Sequence, residues 1–163
     1  MGPSTNKKVL VSRFDRDTLA GFVNLQTYQT PGGIELLSPG GSFSLIPYPD
    51  IKLLCFVRDF QDGDPKPEIR TFSARPKMPG LWVRMRFRDG DWMDGVLPNN
   101  LLLLEPQGFT MIPPDPGYQN QRVFVPRTAV TEIQVLGVIG GGTKPSTKKT
   151  TKPREQIELF GNN

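Results

Sequence analysis

Apolar and polar residues alternate along most of this chain, and long runs with the spacing of an amphipathic helix are absent. The segment from Leu81 to Arg88 is the clearest case. There Val83, Met85 and Phe87 fall on one side of an extended strand, and Trp82 and three arginines fall on the other. Gly and Pro number 17 each, which is typical of short strands joined by many turns. We therefore predict an all-β fold.

Turn signals divide this pattern into two series of short strands. In the first half we predict strands at Val9–Phe14, from Leu19 onward, at Gly33–Leu37, at Ser42–Ile46 and at Ile51–Val57. In the second half we predict them at Leu81–Arg88, Trp92–Leu97, Leu101–Glu105, Gly108–Ile112, Arg122–Pro126 and Val130–Val138. Asp89-Gly90 predicts a hairpin between the first two of these.

One spacing of residues occurs twice. The first copy reads Ile46-Pro47, three residues, Ile51, two residues, Leu54, one residue, Phe56, and the second reads Val125-Pro126, three, Val130, two, Ile133, one, Val135. Upstream, Phe14 to Gly21 resembles Phe87 to Gly95, with one extra residue in the second copy. Two matched segments in the same order indicate an internal repeat of one structural unit.

The repeat sets the predicted domain organisation. We expect a first small five-stranded antiparallel barrel in residues 1–57 and a second in residues 81–139. Residues 58–80, which are polar and include Pro65, Pro67 and Pro76, are predicted to be a linker. Residues 140–163 are predicted to be a flexible basic tail, because this low-complexity stretch carries too few apolar residues to fold.

Composition excludes several kinds of chemistry. The chain has no histidine, which rules out a Ser-His-Asp triad, a Cys-His pair and a His-ligated zinc ion. Cys55 is the lone cysteine and is expected to be a buried apolar side chain. We predict no catalytic residues, no metal site and no cofactor. No apolar run is long enough to span a bilayer or to serve as a signal peptide, so we expect a cytoplasmic protein without a membrane partner.

The net charge of +4 belongs mainly to the tail. Residues 1–140 carry 15 Lys and Arg against 14 Asp and Glu, whereas residues 141–163 carry 5 against 2. The high isoelectric point therefore says little about the folded body.

The second half also carries residues of a known family. Arg86-Phe87 with Asp89-Gly90 and Gly95, then Asn100-Leu101-Leu102-Leu103, then Phe124-Val125-Pro126-Arg127 resemble the two sequence segments of Sm-like (LSm) barrels. The paired arrangement resembles an uncharacterised bacterial family of tandem Sm-like barrels. The resemblance implies two Sm/SH3-like barrels, with Asn100 and Arg127 at the positions that contact RNA, and association through barrel edges.

The outer side of the Leu81–Arg88 strand is the candidate surface on the body. Arginines at alternate positions, Arg84, Arg86 and Arg88, could follow a phosphate backbone while Trp82 stacks on a base. The alternative is a solvated strand face whose arginines pair with Asp91 and Asp94 on the neighbouring strand.

Near its end the tail contains a short apolar segment. Gln156-Ile157-Glu158-Leu159-Phe160 resembles the bacterial sliding-clamp binding motif, in which a Gln and a Leu-Phe pair are the anchors. The resemblance implies that Gln156, Ile157, Leu159 and Phe160 bind the clamp of a DNA polymerase. In the alternative, these residues pack onto the barrels of the same chain. The basic residues before them, Lys148, Lys149, Lys152 and Arg154, could contact nucleic-acid phosphates.

These features support three functional hypotheses. The first is a non-enzymatic adaptor that the tail tethers to the sliding clamp near DNA, in replication or repair. The second is an Sm-like RNA-binding regulator. The third is a protein-interaction scaffold in signalling or cell-surface machinery.

Overall fold

Short antiparallel strands make up the fold. The structure, a computed structural model, describes residues 6–60, 70–114 and 120–140. Its strands are β1 (Asn6–Arg13), β2 (Leu19–Asn24), β3 (Gln29–Thr30), β4 (Gly33–Leu37), β5 (Phe43–Ile46), β6 (Ile51–Val57), β7 (Gly80–Phe87), β8 (Trp92–Leu97), β9 (Gly108–Met111), β10 (Asn120–Pro126) and β11 (Val130–Ile139). The described residues form no α-helix, and three 3₁₀ helices cover Tyr48–Asp50, Leu101–Leu103 and Arg127–Ala129.

The strands form one sheet of eight and one of three. The larger sheet has the order β3-β4-β2-β1-β6-β10-β9, and β5 pairs with β4 beside it. The smaller sheet has the order β11-β7-β8. A single bridge between Val96 and Ile112 connects β8 to the segment of β9, with backbone hydrogen bonds of 3.0 Å in both directions. The two halves of the sequence therefore share one sheet.

Strand β6 is the centre of this arrangement. All seven of its residues are buried, and it pairs antiparallel with β1 on one edge and with β10 on the other. Leu54 and Phe56 face one apolar core, which is built mainly by the first half. Cys55 and Val57 face a second core, which is built mainly by the second half. A strand buried on both faces explains why Ile51–Val57 is nearly all apolar rather than alternating.

The repeated spacing corresponds to repeated structure. Pro47 and Pro126 each precede a 3₁₀ helix, with φ and ψ of −64° and 141° at the first and −65° and 148° at the second. The last residue of each helix accepts a backbone hydrogen bond from the residue after the first strand of its half. These bonds are Phe14 N–H to Asp50 O at 3.1 Å and Arg88 N–H to Ala129 O at 2.9 Å.

The glycine in each upstream copy is explained by a close approach of strands. A Cβ at Gly21 in β2 would lie 2.7 Å from the carbonyl oxygen of Leu37, and a Cβ at Gly95 in β8 would lie 2.2 Å from the sulfur of Met111. The first contact, with backbone, is not sterically allowed, and the second would require the buried Met111 side chain to move. Glycine therefore suits the positions where β2 meets β4 and β8 meets β9.

The all-β prediction is confirmed, and most predicted strands lie within a residue or two of the observed ones. The prediction of a strand at Leu101–Glu105 is wrong. Asn100 caps a 3₁₀ helix there, with its side-chain oxygen accepting from the Leu102 N–H at 2.9 Å, so the third strand of this half is β9. The short strand β3 was not predicted. Part of the predicted linker, residues 61–69, lies outside the described residues.

An ion-pair cluster joins the two halves beside β6. The ammonium of Lys52, whose side chain is 9% exposed, donates to Asp89 Oδ2 and Asp91 Oδ2, both at 2.8 Å. Arg70 also pairs with Asp91. Burial raises the pKa of Asp91, but the hydrogen bonds from Lys52 and the Trp92 N–H outweigh it and hold the pKa below its usual 3.8. Burial also raises the pKa of Asp89, but the hydrogen bond from Lys52 outweighs it, so this pKa is lowered as well.

No helix in the described part of the chain has the length and hydropathy needed to cross a membrane.

We predict that Lys52→Met destabilises the fold by about 1–3 kcal/mol, because it leaves two carboxylates without their shared donor. A lowered carboxylate pKa stabilises the folded state above the usual 3.8, and this stabilisation is lost as the pH falls through the lower folded pKa. The variant should therefore also lose less stability than the wild type in acid. Urea unfolding across this pH range measures both effects, with Lys7→Met, an exposed lysine on β1, as the control. Unchanged stability and an unchanged acid response in Lys52→Met would contradict the prediction.

Candidate functional site

The outer face of β7 carries the arginines that the sequence singled out. Arg84 donates to both carboxylate oxygens of Asp94, at 2.7 and 3.1 Å, and its guanidinium lies 4.5 Å from the ring centroid of Trp92. Asp94 is buried, and its hydrogen bond raises the pKa of Arg84 above the usual value. Arg84 is therefore held by the neighbouring strand β8, as the alternative interpretation of this face expects.

The other members of this face also have partners within the protein. Arg88 donates to the carbonyl of Pro49 at 2.8 Å and lies 3.8 Å from the Phe14 ring centroid, which links the two halves. Arg86 is 3.7 Å from Glu132, and both side chains are more than half exposed. Such an exposed pair adds little stability, so Arg86 is the arginine most available to a ligand.

The ring of Trp82 is not exposed in a way that would let a base stack on it. It is half-buried, and its ring meets Phe72 edge-on with centroids 6.4 Å apart. Its indole N–H is buried and has no hydrogen-bond acceptor among the described residues. Three of the four residues proposed for this face thus lie on β7 and Arg88 directly follows it, but their side chains serve different contacts.

Asn100 and Arg127 lie in two loops that meet. Asn100 opens the segment after β8, and Arg127 follows β10. The guanidinium of Arg127 donates to the carbonyls of Pro106 and Glu105, at 2.9 and 3.3 Å, and lies 5.0 Å from the Phe109 ring centroid. Arg127 thus contacts the segment that Asn100 opens, and both side chains have partners within the protein.

The tail residues that the sequence singled out lie outside the described residues. They are Lys148, Lys149, Lys152, Arg154, Gln156, Ile157, Leu159 and Phe160.

A groove of about 580 Å³, which the sequence did not predict, lies between the two halves. Three of the four consecutive leucines at residues 101–104, which we call the leucine segment, form part of its lining. Leu101, Leu103 and Leu104 line the groove and are 82%, 58% and 58% exposed. Leu102 is 92% exposed and does not line it. Four exposed leucines in sequence are an apolar patch of the kind that marks an interaction site.

The first half also contributes to the lining of the groove. Leu25, Tyr28 and Phe56 line the groove together with Phe109 and Ile112 of the second half. The guanidinium of Arg122, also in the lining, lies 6.0 Å from the Phe56 ring centroid. The groove is thus largely apolar and has a cation in its lining.

A polar cluster in the groove fixes the end of the leucine segment. Glu105 accepts hydrogen bonds from the Gln29 side-chain amide at 2.9 Å and from the Thr110 hydroxyl at 2.6 Å. The same amide of Gln29 donates to the Tyr28 hydroxyl at 3.0 Å. Burial is the main cause that raises the pKa of Tyr28 to about 12. These bonds tie the loop after the leucines to the first half and hold the groove open beside it.

Sequence reasoning missed this site because a run of leucines fits a buried strand as well as an exposed turn. The signal that could have separated the two is Asn100 at the start of the run with Pro106 after it. An Asn that caps a short helix and a Pro that ends it favour a tight helical turn over a strand. In a single helical turn the four side chains point in different directions, so they cannot all be buried.

Comparison with known proteins places these features in a family without an assigned activity. Residues 5–137 match the model of a family of unknown function (DUF6982). No curated protein and no solved structure matches the chain.

The buried phenol of Tyr28, in the groove, predicts that the folded state loses stability at alkaline pH. A raised Tyr pKa stabilises the folded state fully below the ordinary value of 10.0, and this stabilisation is lost as the pH rises toward 12. We expect Tyr28→Phe to lose less stability than the wild type across this window, because a Phe cannot ionise. Denaturant unfolding at stepped alkaline pH measures this difference. The outcome against the prediction is an equal alkaline loss in both proteins.

Proposed function

The chain belongs to the DUF6982 family of unknown function, and we propose that it is a non-enzymatic adaptor whose groove binds an apolar segment of a partner protein. The observation that carries the proposal is the exposed leucine segment in the lining of the groove. Exposed leucines are unfavourable in water, and a partner that covers Leu101, Leu103 and Leu104 removes that surface from solvent.

The chemistry of the groove describes the segment it would accept. Apolar side chains, leucines and aromatics among them, form most of the lining, which suits two or more apolar anchor residues. Arg122 is exposed and would attract a carboxylate beside those anchors. Glu105 is already bonded to Gln29 and Thr110, so it acts as part of the wall. A short peptide with apolar anchors and an acidic neighbour fits this description.

Protein binding is favoured over nucleic-acid binding by the partners of the arginines. Arg84 is held by Asp94, and Arg88 and Arg127 donate to backbone carbonyls. An arginine whose donors are already used gains less from a phosphate, since the existing bonds must be broken first. The balance of 15 basic against 14 acidic residues in residues 1–140 also gives the body little general attraction for a polyanion.

We also propose that each half is an Sm-like barrel. What supports this is the strand order. The first half has the order β5-β4-β2-β1-β6, and the second has β10-β9, the Val96–Ile112 bridge, and β8-β7-β11. In both halves the first strand thus lies between the second and the last. The shared Pro and 3₁₀ helix before each last strand add to the likeness.

A second binding element is proposed for the tail, on the observation that Gln156 to Phe160 resembles the sliding-clamp binding motif. Combined with the groove, this peptide would bring a partner protein to the clamp on DNA. A protein that works on the clamp acts in the cytoplasm of a bacterium, and we propose that location.

The groove is tested by peptide selection. Short random peptides displayed on phage are selected on the immobilised full-length chain, and the enriched sequence is synthesised and measured by fluorescence anisotropy. We expect Leu103→Glu to weaken its affinity by roughly tenfold or more, because an apolar anchor contact is worth about 1.5–3 kcal/mol.

Leu102→Glu is the matched control, since Leu102 is the leucine of the segment that does not line the groove. Its affinity should stay within about twofold of the wild type, since surface changes usually alter free energies by less than about 0.5 kcal/mol. Failure to enrich any peptide, or equal losses in the two variants, would refute groove binding.

The tail is tested by calorimetric titration of a purified bacterial sliding clamp with the full-length chain. We expect measurable binding that Gln156→Ala together with Phe160→Ala abolishes, because these changes remove the amide and the largest apolar anchor. Thr150→Ala with Thr151→Ala, in the same tail, should leave binding unchanged. The clamp hypothesis fails if the wild type does not bind, or if the Gln156 and Phe160 double variant binds as well.

A further inference from the structure

The described part of the chain ends beside the groove. The last residue pair that joins β11 to β7 is Ile139 with Gly80. Gly80 is flanked by Pro79 and Leu81, which both line the groove. It also lies so close to the carbonyl oxygen of Leu97, another lining residue, that a Cβ would not fit between them. The chain after β11 therefore starts one strand spacing, about 5 Å, from the lining of the groove.

A segment that matches the groove follows in the sequence. Residues 156–160 hold three large apolar side chains and an acidic one among them, which are Ile157, Leu159, Phe160 and Glu158. An apolar lining with the exposed Arg122 suits that combination of anchors and carboxylate. The other residues outside the described part include no two large apolar residues in succession; they are 1–5, 61–69, 115–119, 141–155 and 161–163. Residues 156–160 are therefore the segment of this chain best suited to the groove.

The length of chain between these two points permits the contact. Fifteen residues, 141–155, separate Gly140 from Gln156. Fully extended they span about 50 Å, and as a flexible chain their ends lie about 20 Å apart on average. A folded body of this size has a radius of gyration of about 14 Å, so the segment reaches the groove without stretching. Such a tether gives a roughly millimolar effective concentration, at which even a contact of modest affinity is mostly formed.

We propose that residues 156–160 occupy the groove of their own chain. Leu159 and Phe160 cover the leucine segment, and Glu158 pairs with Arg122. The contact removes the apolar side chains of both partners from water. This inference rests on the proposed function, since it takes the groove as a site for apolar peptides and names the peptide that fills it in the free protein.

The same anchors then serve two sites in turn. Leu159 and Phe160 are also anchors that the sliding-clamp resemblance implies, and one pair of side chains fills one apolar site at a time. The groove and the clamp therefore compete for the tail. A partner segment that enters the groove displaces residues 156–160 and frees them for the clamp, so each of these two binding events strengthens the other.

Peptide binding to full-length chains tests the assignment. The probe is a fluorescein-labelled synthetic peptide with the sequence of residues 154–163, measured by fluorescence anisotropy. We expect Leu159→Ser with Phe160→Ser, which we call the tail variant, to bind the probe at least about fivefold more tightly than the wild type. Its groove is empty, whereas in the wild type the probe must displace the tail. Thr150→Ala with Thr151→Ala should bind the probe as the wild type does.

The leucine segment supplies the variants that locate the bound probe. Adding Leu103→Glu to the tail variant should weaken its affinity for the probe by roughly tenfold or more, because an anchor contact is lost. Adding Leu102→Glu should change that affinity by less than about twofold, because Leu102 does not line the groove. Equal losses from the two additions would place the probe elsewhere and overturn the inference.

The peptide enriched by phage selection separates this inference from the proposed function. The inference alone is overturned if the selected peptide binds the groove while the 154–163 probe does not bind the tail variant. The same holds if the probe binds the tail variant no more tightly than the wild type. Both are overturned if Leu103→Glu weakens the binding of neither peptide.

A cross-link within one chain tests the contact without an added peptide. Asn99 is an exposed residue of the groove lining, and Gly161 directly follows the anchors. We expect Asn99→Cys with Gly161→Cys to form an intramolecular disulfide under mild oxidation, followed by mass spectrometry and non-reducing electrophoresis. The wild type, whose Cys55 is buried, gives the background.

The control for this cross-link is the tail variant with the same two added cysteines, because it keeps the tether and lacks the anchors. Its disulfide should form about tenfold more slowly, since only the tether then brings the two cysteines together. Equal rates in the presence and absence of the anchors would overturn the proposed contact.

Discussion

Burial of β6 on both faces and both edges is the constraint on which the described structure depends. One face completes a core with β1 and β4, and the other completes a core with β7 and β9. Because β1 and β10 use its two edges, each half of the sequence supplies one of its neighbours. A polar residue at Leu54 would therefore damage the first core, and one at Cys55 would damage the second. The groove and the Lys52 cluster lie where the two halves meet around this strand.

The repeated unit is defined by backbone geometry more than by any shared surface. The prolines at 47 and 126 set the same φ before the same short helix, and Gly21 and Gly95 allow the same close crossing of strands. These positions preserve the bend of the chain. The side chains outside this frame have diverged, since only the second half carries the leucine segment and the arginines of β7. The two halves thus share backbone geometry at these positions and differ in their surface residues.

Local signals in the sequence predicted the strands, because alternation and turn residues act over a few positions. The run Ile51–Val57 and the hairpin at Asp89-Gly90 are examples, and Gly90 adopts a positive φ of 90° at that turn. The pairing of β6 with β10 could not be predicted in the same way, since it joins residues distant in the chain. The site was missed for a related reason. A leucine run has the same composition whether it is buried or exposed, and only the flanking Asn100 and Pro106 indicate a short helical turn.

The order of synthesis gives the β6–β10 pairing a consequence for folding. When the first half leaves the ribosome, β6 has its β1 neighbour but must wait for β10, which is made much later. During that interval an almost wholly apolar strand has an open edge and an uncovered face. Pairings between distant segments form slowly, because the loop between them must first be closed. The nascent first half is thus the stage at which this chain is most exposed to mispairing and aggregation.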